Sequence, residues 1–258
     1  MNGSPKPLDA APEALSPTPQ SPTTRREAVL ARISAAASQA NRAADTIQLL
    51  AVSKTMDAPH LLAMAQTGQQ SFGENYLQEA LGKQQWLADH WSGEPLEWHF
   101  IGPIQSNKTR PIASHFDWVH TVDRLKIGQR LNEQRPTDAP RLNICLQVNI
   151  DDEASKSGCR PDEAVALVSQ LAGLPRLRLR GLMAIPRAST DASEQNAAFA
   201  RVREVFDQCR QALALESPDA VSSFDTLSMG MTGDLEAAVA QGATIVRVGT
   251  ALFGHRAP

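Results

Sequence analysis

Eight short apolar runs recur along this chain with helical patterns between them, and that alternation limits the fold more than any other feature. The runs cover residues 47–53, 70–73, 97–102, 118–122, 142–150, 177–184, 224–229 and 244–248. Runs this short and this apolar read as strands buried on both faces, as in a parallel sheet covered by helices. Spread over roughly 200 residues they leave about 28 per unit, the scale of a strand–helix repeat. Helical periodicity fills the gaps, for example from Pro161 to Ala172 and from Ser193 to Leu215. Eight such units predict an α/β fold made of a single (β/α)8 TIM-type barrel, with an open doubly wound sheet as the alternative.

The two ends of the pattern differ from its middle. Residues 1–22 hold six prolines (Pro5, Pro7, Pro12, Pro17, Pro19 and Pro22) among Ser, Thr and Ala. Such a composition buries too little apolar surface to offset ordering, so residues 1–23 are expected to be a disordered tail and 24–258 the barrel. Thr24-Arg25-Arg26-Glu27 has capping-box spacing, and Val29, Ile33, Ala36, Ala37 and Ala40 follow on one helical face. Only about ten residues follow the eighth run, too few for a full covering helix. The helix that begins near Thr24 is therefore expected to cover part of the barrel as an extra N-terminal element.

Bulk properties exclude several classes. A net charge of −3 and a pI near 6.1 give no electrostatic footprint for nucleic acid or an anionic membrane. No stretch reaches the roughly 18 apolar residues of a membrane span, and the N-terminus lacks the pattern of a secretory signal. Cys145, Cys159 and Cys209 are odd in number, widely spaced and in no CxxC pairing, which points to free thiols and a cytoplasmic location. His60, His90, His115, His120 and His255 show no metal-ligand spacing, so no metal site is expected.

Chemistry enters at Lys54, one of six lysines, which stands where the first strand run ends. An amine in low-dielectric surroundings favours the neutral form, the one that attacks an aldehyde. Barrel enzymes carry their working groups on loops after the strands, and often a phosphate site after strands seven and eight. After strand seven comes Ser228-Met229-Gly230-Met231-Thr232-Gly233-Asp234, opening into a helix from Leu235 to Gln241. After strand eight comes Arg247-Val248-Gly249-Thr250-Ala251-Leu252-Phe253-Gly254. Glycine, hydroxyl and exposed N–H groups suit a phosphate. An amine facing such a cradle suits a phosphorylated aldehyde, of which pyridoxal 5′-phosphate is the common one. Arg247, if inward-facing, could meet the pyridine nitrogen and keep it unprotonated; a salt-bridged arginine on the rim is the alternative. His99, between Trp98 and Phe100, either lines the pocket or is a hydrogen-bonded core histidine. Lys156, on the loop after strand five, is a second amine on the same rim and a candidate acceptor for the aldehyde.

Six co-linear segments then resemble the signatures of the pyridoxal phosphate homeostasis protein family (the YggS/PROSC group). They are Ala51 to Thr55, Phe72 to Tyr76, His99 to Lys108, Gly181 to Pro186, Ser228 to Met231 with Asp234, and Arg247 to Gly254. The resemblance covers residues 25–256, with Thr232 where the family usually has serine. It implies a barrel like the alanine racemase N-terminal domain, holding pyridoxal phosphate as a Schiff base on Lys54. It also implies Asn75 beside the cofactor ring, Ser228, Gly249 and Thr250 at the phosphate, Met229 as a further cofactor contact, and Arg247 at the pyridine nitrogen. No second catalytic base is evident for Lys54, and racemisation needs one on each face of the α-carbon. A monomeric, non-catalytic carrier in vitamin B6 homeostasis is therefore expected, with PLP-dependent apo-enzymes as candidate recipients. A PLP-dependent amino-acid racemase of low activity is the alternative.

Overall fold

The computed structural model describes residues 20–153 and 156–254. Eight strands among them form a closed, all-parallel barrel in sequential order: β1 (Gln48–Val52), β2 (Ser71–Glu74), β3 (Glu97–Phe100), β4 (Trp118–Val122), β5 (Leu142–Val148), β6 (Leu177–Ala184), β7 (Thr226–Ser228) and β8 (Ile245–Val248). Closure is made by β1 against β8, with Leu50 opposite Arg247. The expected barrel is thus present, and each strand falls within the run that predicted it except β2, which extends one residue further to Glu74. Most of the tail expected at residues 1–23 lies outside the described residues.

Strand alternation sorts the side chains into two sets. Leu49, Ala51, Phe72, Trp98, Phe100, Val119, Leu146, Leu182, Leu227 and Val246 face outward and belong to the large core under the helices. Leu50, Ile101, Trp118, Cys145, Met183 and Ile245 form a separate cluster inside the barrel. The interior is therefore only partly apolar, and polar groups occupy the rest of its inward positions. At the floor, Glu97 accepts hydrogen bonds from Gln48 Nε2 (2.9 Å), Ser71 Oγ (3.1 Å) and Trp118 Nε1 (2.9 Å).

The helices are α1 (Pro22–Gln39), α2 (Ala58–Ala65), α3 (Leu77–His90), α4 (Thr109–His115), α5 (Leu125–Gln134), α6 (Ala164–Ala172), α7 (Ala192–Glu216), α8 (Pro218–Val221), α9 (Leu235–Ala240) and α10 (Thr250–Phe253). The first begins two residues before the expected Thr24. Ser21 is its N-cap and accepts from the Thr24 N–H at 3.1 Å, while Pro22 fills the first turn, where its missing N–H costs nothing. A Ser-Pro start therefore overrides the capping-box spacing. As expected, α10 is only a single turn. The α1 helix packs against α2, α9 and α10 and covers the seam that a full eighth helix would cover. Its Arg32 bonds Glu236 (2.8 Å) on α9 and the Thr232 carbonyl (2.8 Å) in the loop after β7.

Candidate functional site

A cavity of about 330 Å³ opens at the C-terminal ends of β1, β2, β7 and β8. Its lining includes Lys54, Asn75, Thr232, Gly233, Arg247, Gly249 and Thr250, with Val52, Ile101, Ile185, Met231 and Phe253 as apolar walls. Five of the seven residues singled out in the sequence therefore meet here: Lys54, Asn75, Arg247, Gly249 and Thr250.

Ser228 and Met229, expected at the ligand, are not among the residues that line this cavity. Ser228 ends β7 pointing into the barrel, where Arg247 Nη1 donates to its Oγ at 2.9 Å and His120 Nδ1 lies 2.8 Å away. Met229 faces outward and is buried in the core under the helices. The loop first reaches the cavity two residues later, with Met231, Thr232 and Gly233.

Lys54 is half-buried rather than enclosed. Its ammonium makes no hydrogen bond or ion pair among the described residues, which leaves the amine available to a ligand. Its backbone, in contrast, is tightly held. The neighbouring Thr55 has φ 66°, a region that β-branched residues avoid. The Thr55 N–H donates to Glu79 Oε1. On the other side the Ser53 carbonyl accepts from Lys83 Nζ at 2.7 Å, and Lys83 also reaches Glu74 (2.7 Å) and Glu79 (2.5 Å). Lys83 and Glu74 are both buried. Burial raises the Glu74 carboxyl above its usual range, although the bonds from Lys83 and Ser53 oppose the rise. This brace was missed in the sequence; the Glu79–Lys83 spacing of four residues was its one local signal.

Arg247 is almost fully buried. It takes the inward position two residues after Ile245, and Ala184 O accepts from its Nη2 at 3.0 Å. Burial lowers its pKa to about 10, which still leaves the guanidinium charged at neutral pH. Asn75 sits beside Gly102, where an added Cβ would lie 2.0 Å from the Asn75 carbonyl oxygen. The Asn75 Oδ1 is buried without a hydrogen-bond partner, an acceptor that a ligand hydroxyl could satisfy.

The donor set fits pyridoxal phosphate. The lining offers one amine, one guanidinium, two threonine hydroxyls and glycine backbone, and no carboxylate among the described residues. Such a set favours a dianion and an electrophilic carbonyl over a cationic ligand.

His99 proves to be a core histidine, fully buried and bonded to Glu97 and His120. Lys156 lines an adjoining cavity of about 240 Å³ that shares Asn75, Ile101 and Ile185 with the first. Its ammonium is paired with Glu153 at 2.9 Å. Among the described residues no helix is long and apolar enough to cross a membrane.

Comparison with known proteins agrees with this geometry. Residues 27–257 match the family described as alanine racemase, N-terminal domain. The chain is 58% identical over 228 residues to the pyridoxal phosphate homeostasis protein of Pseudomonas aeruginosa, covering 88% of this chain and 93% of that one. It is 49% identical over 225 residues to the protein of the same name from Escherichia coli K12, covering 87% and 92%. Among solved structures, PipY of Synechococcus elongatus PCC7942 with PLP bound is 36% identical with a TM-score of 0.74, covering 88% of this chain and all of that one. Alanine racemase from Corynebacterium glutamicum shares the fold at a TM-score of 0.57 and 18% identity, with 62% of its chain covered. The chain belongs to the alanine racemase N-terminal domain family, among the pyridoxal phosphate homeostasis proteins.

Proposed function

We propose that this protein binds pyridoxal 5′-phosphate as a Schiff base on Lys54 and serves as an intracellular carrier in vitamin B6 homeostasis, without catalytic turnover of its own. The observation that carries the reading is an unpaired lysine amine in the same carboxylate-free cavity as a buried guanidinium and two glycine–hydroxyl loops. The kinship with the PLP-bound PipY supports it. When bound, the cofactor supplies an aldehyde with which a neutral amine condenses, releasing one water. Lys54 provides that amine, and the brace behind Ser53 and Thr55 holds its backbone. Thr232, Gly233, Gly249 and Thr250 hold the phosphate. Arg247 donates toward the pyridine nitrogen, and as a group that does not give up its proton it keeps that nitrogen unprotonated.

Carrier is favoured over racemase by what surrounds Lys54. Among the described residues it is, apart from Arg247, the only titratable group of the lining. Tyr76, the chain's one tyrosine, is 55% exposed and outside the lining. No described residue of the cavity is thus placed as a second base. Delivery to apo-enzymes would proceed by release of the cofactor through the mouth of this cavity, from a monomeric site.

Borohydride reduction of the yellow, PLP-loaded protein should fix the cofactor on Lys54, and Lys54→Ala should be colourless. An equally yellow Lys54→Ala variant would move the linkage elsewhere. Adding an amino acid while following chirality and free PLP separates carrier from racemase. Turnover at about 1 per second or faster, the rate of an ordinary enzyme, would overturn the carrier reading.

A further inference from the structure

We infer that Glu97, His99, His120 and Ser228 form a one-way hydrogen-bonded chain through the barrel that presets Arg247 for its ligand. The links run Arg247 Nη1 to Ser228 Oγ (2.9 Å), Ser228 Oγ to His120 Nδ1 (2.8 Å), His120 Nε2 to His99 Nδ1 (2.9 Å) and His99 Nε2 to Glu97 Oε2 (2.8 Å). The three middle members are fully buried.

The chemistry of the two ends decides the direction. A guanidinium only donates and a carboxylate only accepts. Glu97 also accepts from the Gln48 amide, the Ser71 hydroxyl and the Trp118 indole, so it stands as the acceptor end of the chain. Ser228 must therefore accept from Arg247 and donate to His120 Nδ1. His120 then donates from Nε2 to His99, which donates from Nε2 to Glu97. Both rings are neutral, both carry the proton on Nε2, and every polar hydrogen in the chain has an acceptor. The opposite sense makes His99 an imidazolium and turns His120 Nδ1–H toward Ser228. That hydroxyl would then accept two bonds, with no acceptor for its own hydrogen among the described residues, an arrangement that buried polar groups avoid.

The surroundings of His120 agree with a neutral ring. Burial holds its pKa well below the usual value, and the charge of Arg247 acts in the same direction. Trp118 on β4 stacks on His99 with a 6° interplanar angle, and Arg180 on β6 lies over the same indole while pairing with Asp225. Cys145 on β5 is a neutral thiol pushed up to about 12 by burial. Glu97 is the one carboxylate bonded to the chain, and Asp234, beyond β7, acts on Arg247 only at longer range.

The consequence is a fixed guanidinium. Two of its N–H groups are committed, to Ser228 and to the Ala184 carbonyl, so the edge that lines the cavity is preset before any ligand arrives. Ser228, His120, His99 and Glu97 are in this sense positioning residues. Their effect on the ligand rests on the reading of the cavity as a pyridoxal phosphate site, whereas the chain itself can be tested without ligand.

The test is two-bond 1H–15N correlation of the histidine rings in the cofactor-free full-length protein, followed by titration with pyridoxal phosphate. Two rings that carry their proton on Nε2 and none on Nδ1 are expected. Glu97→Gln turns one of the two accepting oxygens into an NH2 donor, so His99, Trp118, Gln48 and Ser71 can no longer all donate to the side chain, and the cavity is not touched. The substitution should change the tautomer or titration of at least one ring and weaken pyridoxal phosphate binding about tenfold, as loss of a supporting residue commonly does. Ser228→Ala should weaken binding by a similar factor while leaving His99 unchanged, and Ser228→Thr should restore it. This pair carries the test if Glu97→Gln does not fold. An imidazolium at His99, an Nδ1–H tautomer in the wild type, or unchanged affinity in both Glu97→Gln and Ser228→Ala would overturn the proposal. A wild-type protein with the expected rings that takes up no pyridoxal phosphate would leave the chain standing and remove the cofactor reading instead.

Discussion

Replacing Lys83 with methionine isolates the brace behind Lys54, because the new side chain keeps the apolar stem and deletes only the ammonium. That ammonium lies 2.7 Å from the Ser53 carbonyl and 2.7 Å from Glu74, and both lysine and glutamate are buried. Removing one partner of a buried ion pair strands the other and costs about 3–5 kcal/mol. In a chain of this size each kcal/mol moves Tm by about 2–4 °C, so a fall of about 10 °C is expected. The pH dependence has a definite sign. Burial already raises Glu74, and without Lys83 its pKa in the folded state rises further. A folded state that holds the proton more tightly than the unfolded one is most stable below the unfolded pKa and loses that stability as pH rises through the folded pKa. The deficit of Lys83→Met against wild type should therefore be smaller at pH 5 than at pH 8. Adding Glu74→Gln removes the stranded charge and should recover a substantial part of the loss. Urea unfolding followed by circular dichroism at both pH values measures all three variants. Equal stability of Lys83→Met and wild type at pH 8, or a deficit that grows toward pH 5, would refute the reasoning.

Other expectations follow from single contacts. Gly102→Ala forces a Cβ against the Asn75 carbonyl oxygen; it should destabilise by about 2–3 kcal/mol and weaken pyridoxal phosphate binding, as calorimetry and absorbance titration would show. Burial raises all three cysteine thiols to about 12, so an aromatic disulfide reagent at pH 8 should leave the native thiols almost unreacted and titrate three after denaturation. Arg32→Ala breaks an ion pair whose side chains are 37% and 50% exposed, so stability should fall by less than about 1 kcal/mol. The same change frees the Thr232 carbonyl, and faster amide hydrogen exchange in the loop after β7 would reveal it.

The barrel was legible because most strands lie in compact apolar runs and eight strand–helix units suit closure; β2, with Phe72 as its one large apolar side chain, was the weakest signal. Lys54 was legible for a local reason, since it stands at a strand end. Arg247 was legible by parity, two residues from an inward-facing Ile245. The burial of Ser228 beneath the cavity was not legible, because depth inside a barrel depends on strand tilt and stagger, which no local pattern records. His120 drew no functional reading, although alternation places it on the same inward face as Trp118. Its value lies in reaching His99 on the neighbouring β3 and Ser228 across the barrel on β7, the second a contact between strands that are not neighbours. Lys83 looked like any polar residue on a helix. Its burial arises from α3 lying over β2, where Glu74 already points outward beneath it.

Closure between β1 and β8 also sets when the site can come into being. The pairing joins segments about 200 residues apart in sequence, among the most distant and therefore slowest contacts a single domain makes. Lys54 leaves the ribosome with the first strand, whereas Arg247 arrives with the last. A nascent or truncated chain can own the amine for most of its synthesis without the guanidinium or the glycine loops that would hold a ligand beside it. On the proposed role of Lys54, stable capture of the aldehyde would wait for the finished molecule, and occupancy of Lys54 would report a completed barrel.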